Sequence, residues 1–175
     1  SGSTGAGSAG CVLANRLSED RTASVAVLEA GPMDRDLFIH IPAGVYRVHR
    51  DPAINWNYES EPEPALGGRV VWLPRGKVVG GTSSINGQVL LRGVPEDYDG
   101  WAALGNNEWE FIKVLPYFRK METDTDIRDD FHGFDGPIPV RRHPQETWLP
   151  AQVAFHQACR DEGYPEDPDM NNPDS

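Results

Sequence analysis

The feature that most constrains this chain is Gly5-Ala6-Gly7-Ser8-Ala9-Gly10, a G-x-G-x-x-G run leading straight into a helical pattern. Ala9, Val12, Leu13 and Leu17 fall at i, i+3, i+4 and i+8, the spacing of one apolar helix face. A short apolar run follows, Val25-Ala26-Val27-Leu28, and ends in Glu29. Turn, helix, strand and acid in that order specify an α/β unit with parallel strands. Gly5, Gly7 and Gly10 let a backbone approach a pyrophosphate, whose charge a helix N-terminus favours. An acid about 20 residues beyond the glycines is placed to accept hydrogen bonds from an adenosine ribose. The pattern predicts dinucleotide binding, and it suits NAD and FAD equally.

The residues ahead of the turn do not match. A buried apolar strand should run into the first glycine, whereas Ser1-Gly2-Ser3-Thr4 are small and mostly polar. The first strand is therefore expected to be missing, which would expose backbone groups on its neighbours.

A second glycine-rich stretch lies at Arg75 to Gly93, RGKVVGGTSSINGQVLLRG. Between Gly80 and Gly87 it holds a Gly-Gly pair, three consecutive hydroxyl side chains and an Asn-Gly pair. Glycine permits close approach and positive φ, and hydroxyls and amides supply donors to a polar or phosphorylated partner. By itself this reads equally as a plain Gly/Ser loop between strands at Val70–Leu73 and Gln88–Leu91. Simple NAD-binding modules lack such a loop, so its pairing with Gly5–Gly10 favours FAD.

GAGSAGCVLANRLSED, VLEAG, IHIPAG, NWNYESEPEP, LPRGKVVGGTSSINGQVLLRG, PEDYDGWAALGN and VLPYFRKME occur in that order. Together they resemble the FAD-binding part of a glucose-methanol-choline (GMC) oxidoreductase, on its choline dehydrogenase-like branch. FHGFDGPIPV, Phe131 to Val140, resembles the family's next landmark. The resemblance implies a Rossmann-like FAD-binding domain over residues 1–140. Residues 141–175 would begin a mainly helical substrate region, and members of the family are longer, so the chain reads as an N-terminal fragment.

For the site, the resemblance implies cofactor contacts at Gly5, Gly7, Ser8, Ala9, Gly10, Glu29 and Ala30. It adds Val79, Gly80, Gly81, Thr82, Ser83, Asn86, Gly87 and Val89, with Thr82, Asn86, Gly87 and Val89 lying against the flavin and Gly80 and Gly81 letting the backbone approach it. Arg75 would offset pyrophosphate charge, a plain solvent-facing arginine being the alternative. Some relatives carry a histidine, bonded covalently to flavin, where this chain has Ile85. Isoleucine offers no nucleophile, so FAD is expected to be held non-covalently. The family's catalytic base lies in its C-terminal part. His132, His143 and His156 do not match it, and no catalytic residue and no metal ligand is assigned.

Charge and cysteines narrow the partners. Asp and Glu number 27 against 16 Lys and Arg, a formal charge of −11, which argues against nucleic acid or an anionic membrane. No apolar run approaches a membrane span. Cys11 and Cys159 sit in no metal-binding spacing and read as buried free thiols of a reducing, cytoplasmic compartment. The expected partners are a small alcohol and an electron acceptor, which can be oxygen, a quinone or another carrier.

Elsewhere the sequence gives coarse structure. Trp56 and Tyr58 read as packing residues in a long segment reaching Leu73. Pro95-Glu96-Asp97-Tyr98 resembles a helix start. Ile112, Leu115, Phe118 and Met121 recur every three residues as a core face, with Pro116 starting or kinking the helix. Asp124 to Asp135 is a loop, Pro137–Val140 a strand, and Pro150–Glu162 a helix stopped by Gly163. The acidic tail, Pro165 to Ser175, is expected to be disordered.

The function read from the sequence is FAD-dependent oxidation of an alcohol, with hydride passing to flavin N5. Three rivals stand beside it: a hydroxynitrile lyase on the same scaffold, a non-catalytic nucleotide-binding module, and a remnant of a truncated gene.

Overall fold

The computed structural model describes residues 2–173, which form two compact units, Ser1–Val89 and Leu90–Ser175.

In the first unit, β1 (Gly2–Thr4) pairs in parallel with β2 (Val25–Val27), Gly2 opposite Val25 and Thr4 opposite Val27. The crossover between them is α1 (Ser8–Leu17), as a parallel pair requires. The polar leader thus forms the strand whose absence its composition predicts. Strand pairing uses backbone N–H and C=O groups, which every non-proline residue carries. Both strands are short, and the pair stands alone among the described residues.

That narrow sheet has a consequence for α1. Its expected buried face is largely open: Val12, Leu13 and Leu17 are at least half exposed, and only Gly10 of the helix is buried. Cys11 is exposed as well, against the expectation of a buried thiol, and Cys159 is partly exposed; both are free.

The core of the unit lies further along. After α2 (Leu37–His40), capped by Asp36 accepting the Phe38 N–H at 2.8 Å, come a turn at Pro42–Gly44 and α3 (Val45–Val48). Val48, Ile54, Val78 and Ile85 pack together, with Phe38 and Ile39 against them. Buried Asn55 is held by three bonds: Nδ2 donates to His49 O at 2.5 Å, and Oδ1 accepts from Asn57 N and Arg75 N at 3.0 and 2.9 Å. A buried amide so satisfied anchors the chain entering the second glycine stretch. Trp56 and Tyr58 stack on each other with centroids 5.9 Å apart, both near half exposure.

β3 (Tyr58–Glu59) pairs antiparallel with β4 (Trp72–Leu73), a shorter strand than the expected Val70–Leu73. The strand expected at Gln88–Leu91 does not form. Gln88 has φ of 58°, left-handed backbone that interrupts an extended run.

In the second unit, α4 (Pro95–Ala103) starts as its sequence predicts, with Pro95 in the first turn and Asp97 accepting the Val94 N–H at 3.1 Å. α5 (Phe111–Met121) contains Pro116 in its interior. Leu115 is buried and Phe118 and Met121 partly so, whereas Ile112, expected in the core, is exposed. Tyr98 gathers Trp101, Phe111 and Phe118 around it. β5 (Glu122–Asp124) and β6 (Ile138–Val140) pair in parallel. α6 (Pro150–Asp161) is followed by Gly163 at φ 87°, as expected, yet buries none of its residues.

The tail departs from its composition. Asp169 is buried, and Asn171 Nδ2 donates to Leu90 O at 3.2 Å while its Oδ1 accepts the Arg92 N–H at 2.8 Å. Leu90 belongs to the stretch where a strand was expected and Arg92 follows it directly, so a side-chain amide takes the place of a strand neighbour there.

Candidate functional site

The chain enters α1 through Gly7, in extended backbone (φ −74°, ψ 178°), and no side chain caps the helix. The first bond within it runs from Cys11 N to Gly7 O at 2.9 Å. First-turn N–H groups of a helix have no intrahelical acceptor, so those of Ser8, Ala9 and Gly10 are available at the positive end of the helix dipole. Ser8 and Ala9 are exposed, and a Cβ built on Gly7 would meet nothing within 4 Å. The helix end is therefore open on the side a ligand would use.

The second glycine stretch closes against this turn. Gly80 N donates to Ala6 O at 2.7 Å, and Gly7 and Gly80 form a parallel bridge. Gly80 and Gly81 have φ of 91° and 57°, both left-handed. A Cβ at Gly81 would stand 2.8 Å from Gly7 Cα, so only glycine admits the contact. Val79 N donates to Pro32 O at 3.0 Å, tying the same segment to the chain beyond β2.

The hydroxyls of the 3-10 turn at Gly81–Ser84 divide between support and display. Ser83 Oγ donates to Gly80 O at 2.6 Å and Ser84 Oγ to Val79 O at 2.8 Å. Thr82 Oγ1 accepts the Gly76 N–H at 3.1 Å, which leaves its own proton for an outside acceptor. Asn86 Oδ1 accepts the backbone N–H and the side-chain amide of Gln88, at 2.9 and 3.1 Å, leaving Asn86 Nδ2 as a donor. Ile85 is 1% exposed and belongs to the core.

Glu29 joins the turn to the end of β2. Its Oε2 accepts the Ala6 N–H at 3.1 Å and its Oε1 the Gly31 N–H at 3.0 Å. An ionised carboxylate has about four acceptor positions, so two remain for a hydroxyl donor. Ala30, between these groups, is exposed.

The structure thus brings Gly5–Gly10, Glu29 and Val79–Thr82 into one hydrogen-bonded set. Other expected members lie outside it, Arg75 and Val89 among them. Arg75 Nη1 turns back to Pro74 O at 2.7 Å, and Val89 is 80% exposed. Asn86 and Gly87 are exposed just beyond the 3-10 turn. Ala6, Pro32 and Gly76 were not foreseen. Their parts are played by backbone atoms, which no side-chain pattern announces. Gln88 Nε2, donating to Ser83 O at 3.0 Å, was missed for lack of any spacing signal.

An uncapped helix end, flanked by two glycine backbones in contact, can hold an anionic group in close approach. Beside it the Glu29 carboxylate can take ribose hydroxyls, and Thr82 and Asn86 can donate to a polar ring. The residues fit a dinucleotide.

Comparison with known proteins agrees. The family model for "GMC oxidoreductase" matches residues 3–175. The chain is 46% identical over 167 residues to an oxygen-dependent choline dehydrogenase of Sinorhizobium fredii, covering 95% of this chain and 30% of that protein. It is 44% identical over 174 residues to the mitochondrial choline dehydrogenase of Mus musculus, covering 95% and 29%. Among solved structures, a pyridoxine 4-oxidase from "Mesorbium loti" superposes with a TM-score of 0.90 at 32% identity, covering 98% of this chain and 34% of that one. An FAD-dependent oxidoreductase from Chaetomium thermophilum gives 0.82 at 32% identity, covering 98% and 31%. The chain spans about a third of the length of the proteins it matches.

Proposed function

The chain belongs to the GMC oxidoreductase family, and from that premise we propose that it forms the FAD-binding part of an enzyme oxidising the CH–OH group of a small alcohol. The observation that carries this reading is the contact of Gly81 with Gly7 at the uncapped start of α1. FAD, when bound, supplies the acceptor for the hydride that leaves the alcohol carbon.

The chain's own residues bind and orient. The N–H groups of Ser8, Ala9 and Gly10 hold the pyrophosphate, with Gly5 and Gly7 keeping side chains out of its way. Glu29 accepts from the adenosine ribose while it fixes the turn. Thr82 and Asn86 donate to the flavin ring along the edge formed by Gly80, Gly81, Ser83, Gly87 and Val89. Val79 supports that edge through its backbone, its N–H on Pro32 O and its carbonyl accepting from Ser84 Oγ, and exposed Ala30 lies beside Glu29; Arg75 would leave Pro74 O to offset phosphate charge. Ile85, in the core, presents no nucleophile, so attachment is non-covalent.

On this reading residues 1–140 are the FAD-binding domain and residues 141–175 begin the substrate region. The relatives named choline dehydrogenase make choline the first alcohol to test. Oxygen, in the name of one of them, is the first acceptor. No helix among the described residues is long and apolar enough to cross a membrane.

The test is titration of the purified protein with FAD and, separately, NAD. FAD should bind and its fluorescence should change; tight binding of NAD with indifference to FAD overturns the reading.

A further inference from the structure

Within the Leu90–Ser175 unit, an imidazole and two carboxylates meet out of reach of water. Glu122 and Asp124 stand two positions apart on β5, so both point to one face of the strand. His132 reaches that face from the segment that precedes β6. The side chains of all three are 0% exposed. One donor atom from each lies within 4.8 Å of the other two. His132 Nε2 and Asp124 Oδ2 are 3.6 Å apart, close to the roughly 3.4 Å that separates two ligands of a tetrahedral ion with bonds of about 2.1 Å.

A cluster of acids alone would not specify a site, but two atoms of this set are left over. Glu122 Oε2 and His132 Nε2 are buried and have no hydrogen-bond partner among the described residues. Buried polar atoms are bonded as a rule, and an orphan calls for a ligand.

The remaining atoms of the same side chains are tied down, as the outer partners of a metal site tie its ligands. His132 Nδ1 is 2.9 Å from Asp129 Oδ1, which leaves Nε2 as the free end of the ring. Glu122 Oε1 takes Arg92 Nη2 at 2.6 Å and the Gly133 N–H at 3.1 Å. Asp124 Oδ1 accepts the Asp126 and Ile127 N–H groups at 2.9 and 2.8 Å. Arg142 Nη1 lies 2.8 Å from Asp124 Oδ2, an oxygen that keeps a second acceptor position.

Charge points the same way. The carboxylates of Glu122, Asp124, Asp129 and Asp169 stand around the guanidiniums of Arg92 and Arg142. Four negative charges against two positive ones leave an excess that is costly where water is excluded, and a divalent ion balances it.

We propose that Glu122, Asp124 and His132 hold a divalent transition-metal ion that pins the Phe131–Gly133 segment to β5. One imidazole with two carboxylates is a donor set that zinc accepts. With every ligand closed to solvent, the ion has no face for a substrate, so its part is structural. Binding free energy at such a site adds to the stability of the folded chain.

The test uses the 175-residue chain, stripped of metal with a chelator and then titrated with zinc and, separately, cobalt(II). One zinc per chain should bind and raise the unfolding midpoint, and cobalt(II) should shift the His132 ring resonances paramagnetically. Asp129→Asn leaves all three ligands in place and should weaken zinc binding about tenfold to a hundredfold. Glu122→Gln, which loses a ligand charge, should weaken it further. Failure of the wild-type chain to bind zinc overturns the proposal. So does cobalt(II) that shifts His143 or His156 in place of His132, or equal zinc affinity in the wild type and both variants. Should Glu122→Gln fail to fold, the cobalt(II) shift and Asp129→Asn still decide.

Discussion

Gly81 lies so close to Gly7 that a Cβ added at position 81 would stand 2.8 Å from the Gly7 Cα. Two glycine stretches far apart in sequence thus share one surface, and the second is shaped to fit the first.

Gly81→Ala should separate them. The substitution meets both a steric clash and a φ of 57°, and overpacking of this kind costs about 1–3 kcal/mol. FAD affinity and thermal stability should fall together, as read by flavin titration and by the unfolding midpoint. An alanine variant that binds FAD as wild type does would show that the contact is not needed.

Glu29→Ala should weaken FAD binding about tenfold to a hundredfold, the loss expected when a charge-assisted hydrogen bond is removed. The structure adds a second effect, because the same carboxylate holds Ala6 N and Gly31 N. Hydrogen exchange at those two amides should rise even without cofactor. Glu29→Gln keeps one acceptor oxygen and should fall between. Equal affinity in all three proteins would remove Glu29 from the site.

Flavin should leave the protein on acid precipitation, since Ile85 is a core residue without a nucleophilic atom. Yellow colour remaining on the pellet would point to a covalent link elsewhere.

Acid should unfasten the Leu90–Ser175 unit. Burial would push the Asp124 carboxyl up, but the Ile127 N–H, the Arg142 guanidinium and the Asp126 N–H outweigh it and hold it below the ordinary value. Asp129 is depressed as well. Depressed carboxyls stabilise the fold fully above their unfolded value of about 3.9 and lose that contribution as pH falls through the lower folded values. Unfolding midpoints should therefore hold from neutral pH to about pH 4 and drop below it. Asp124→Asn should flatten that acid limb while lowering stability at neutral pH.

The 175-residue chain supplied with FAD should not oxidise alcohols. Removal of a general base costs typically 10²–10⁴-fold, and three of the five histidines are engaged otherwise. His132 is enclosed by carboxylates, His40 Nε2 is 2.6 Å from Asp34 O, and His156 faces Glu166 at 3.5 Å. Choline-dependent reduction of a dye acceptor above free-flavin background would place the chemistry within these residues.

What the sequence determined by itself is local. The glycine turn running into α1, the proline-led start of α4, β6 and the Gly163 stop of α6 all rest on backbone angles and on bonds to near neighbours. Such preferences are written within a few residues of where they act. The candidate site was legible to the same degree: both glycine stretches and Glu29 were visible as chemistry. Their contact was not, because the Gly80 N–H to Ala6 O bond depends on where the intervening chain travels. The tertiary structure alone decided that small polar residues would pair as β1, that Val12 and Leu13 would lie open, and that Asn171 would occupy the Leu90 carbonyl and the Arg92 N–H at the end of the expected strand. Composition describes what a segment can bury or bond; which partner it meets is fixed only when distant segments are packed together, and there a single buried carboxylate such as Asp169 outweighs the disorder its neighbours favour.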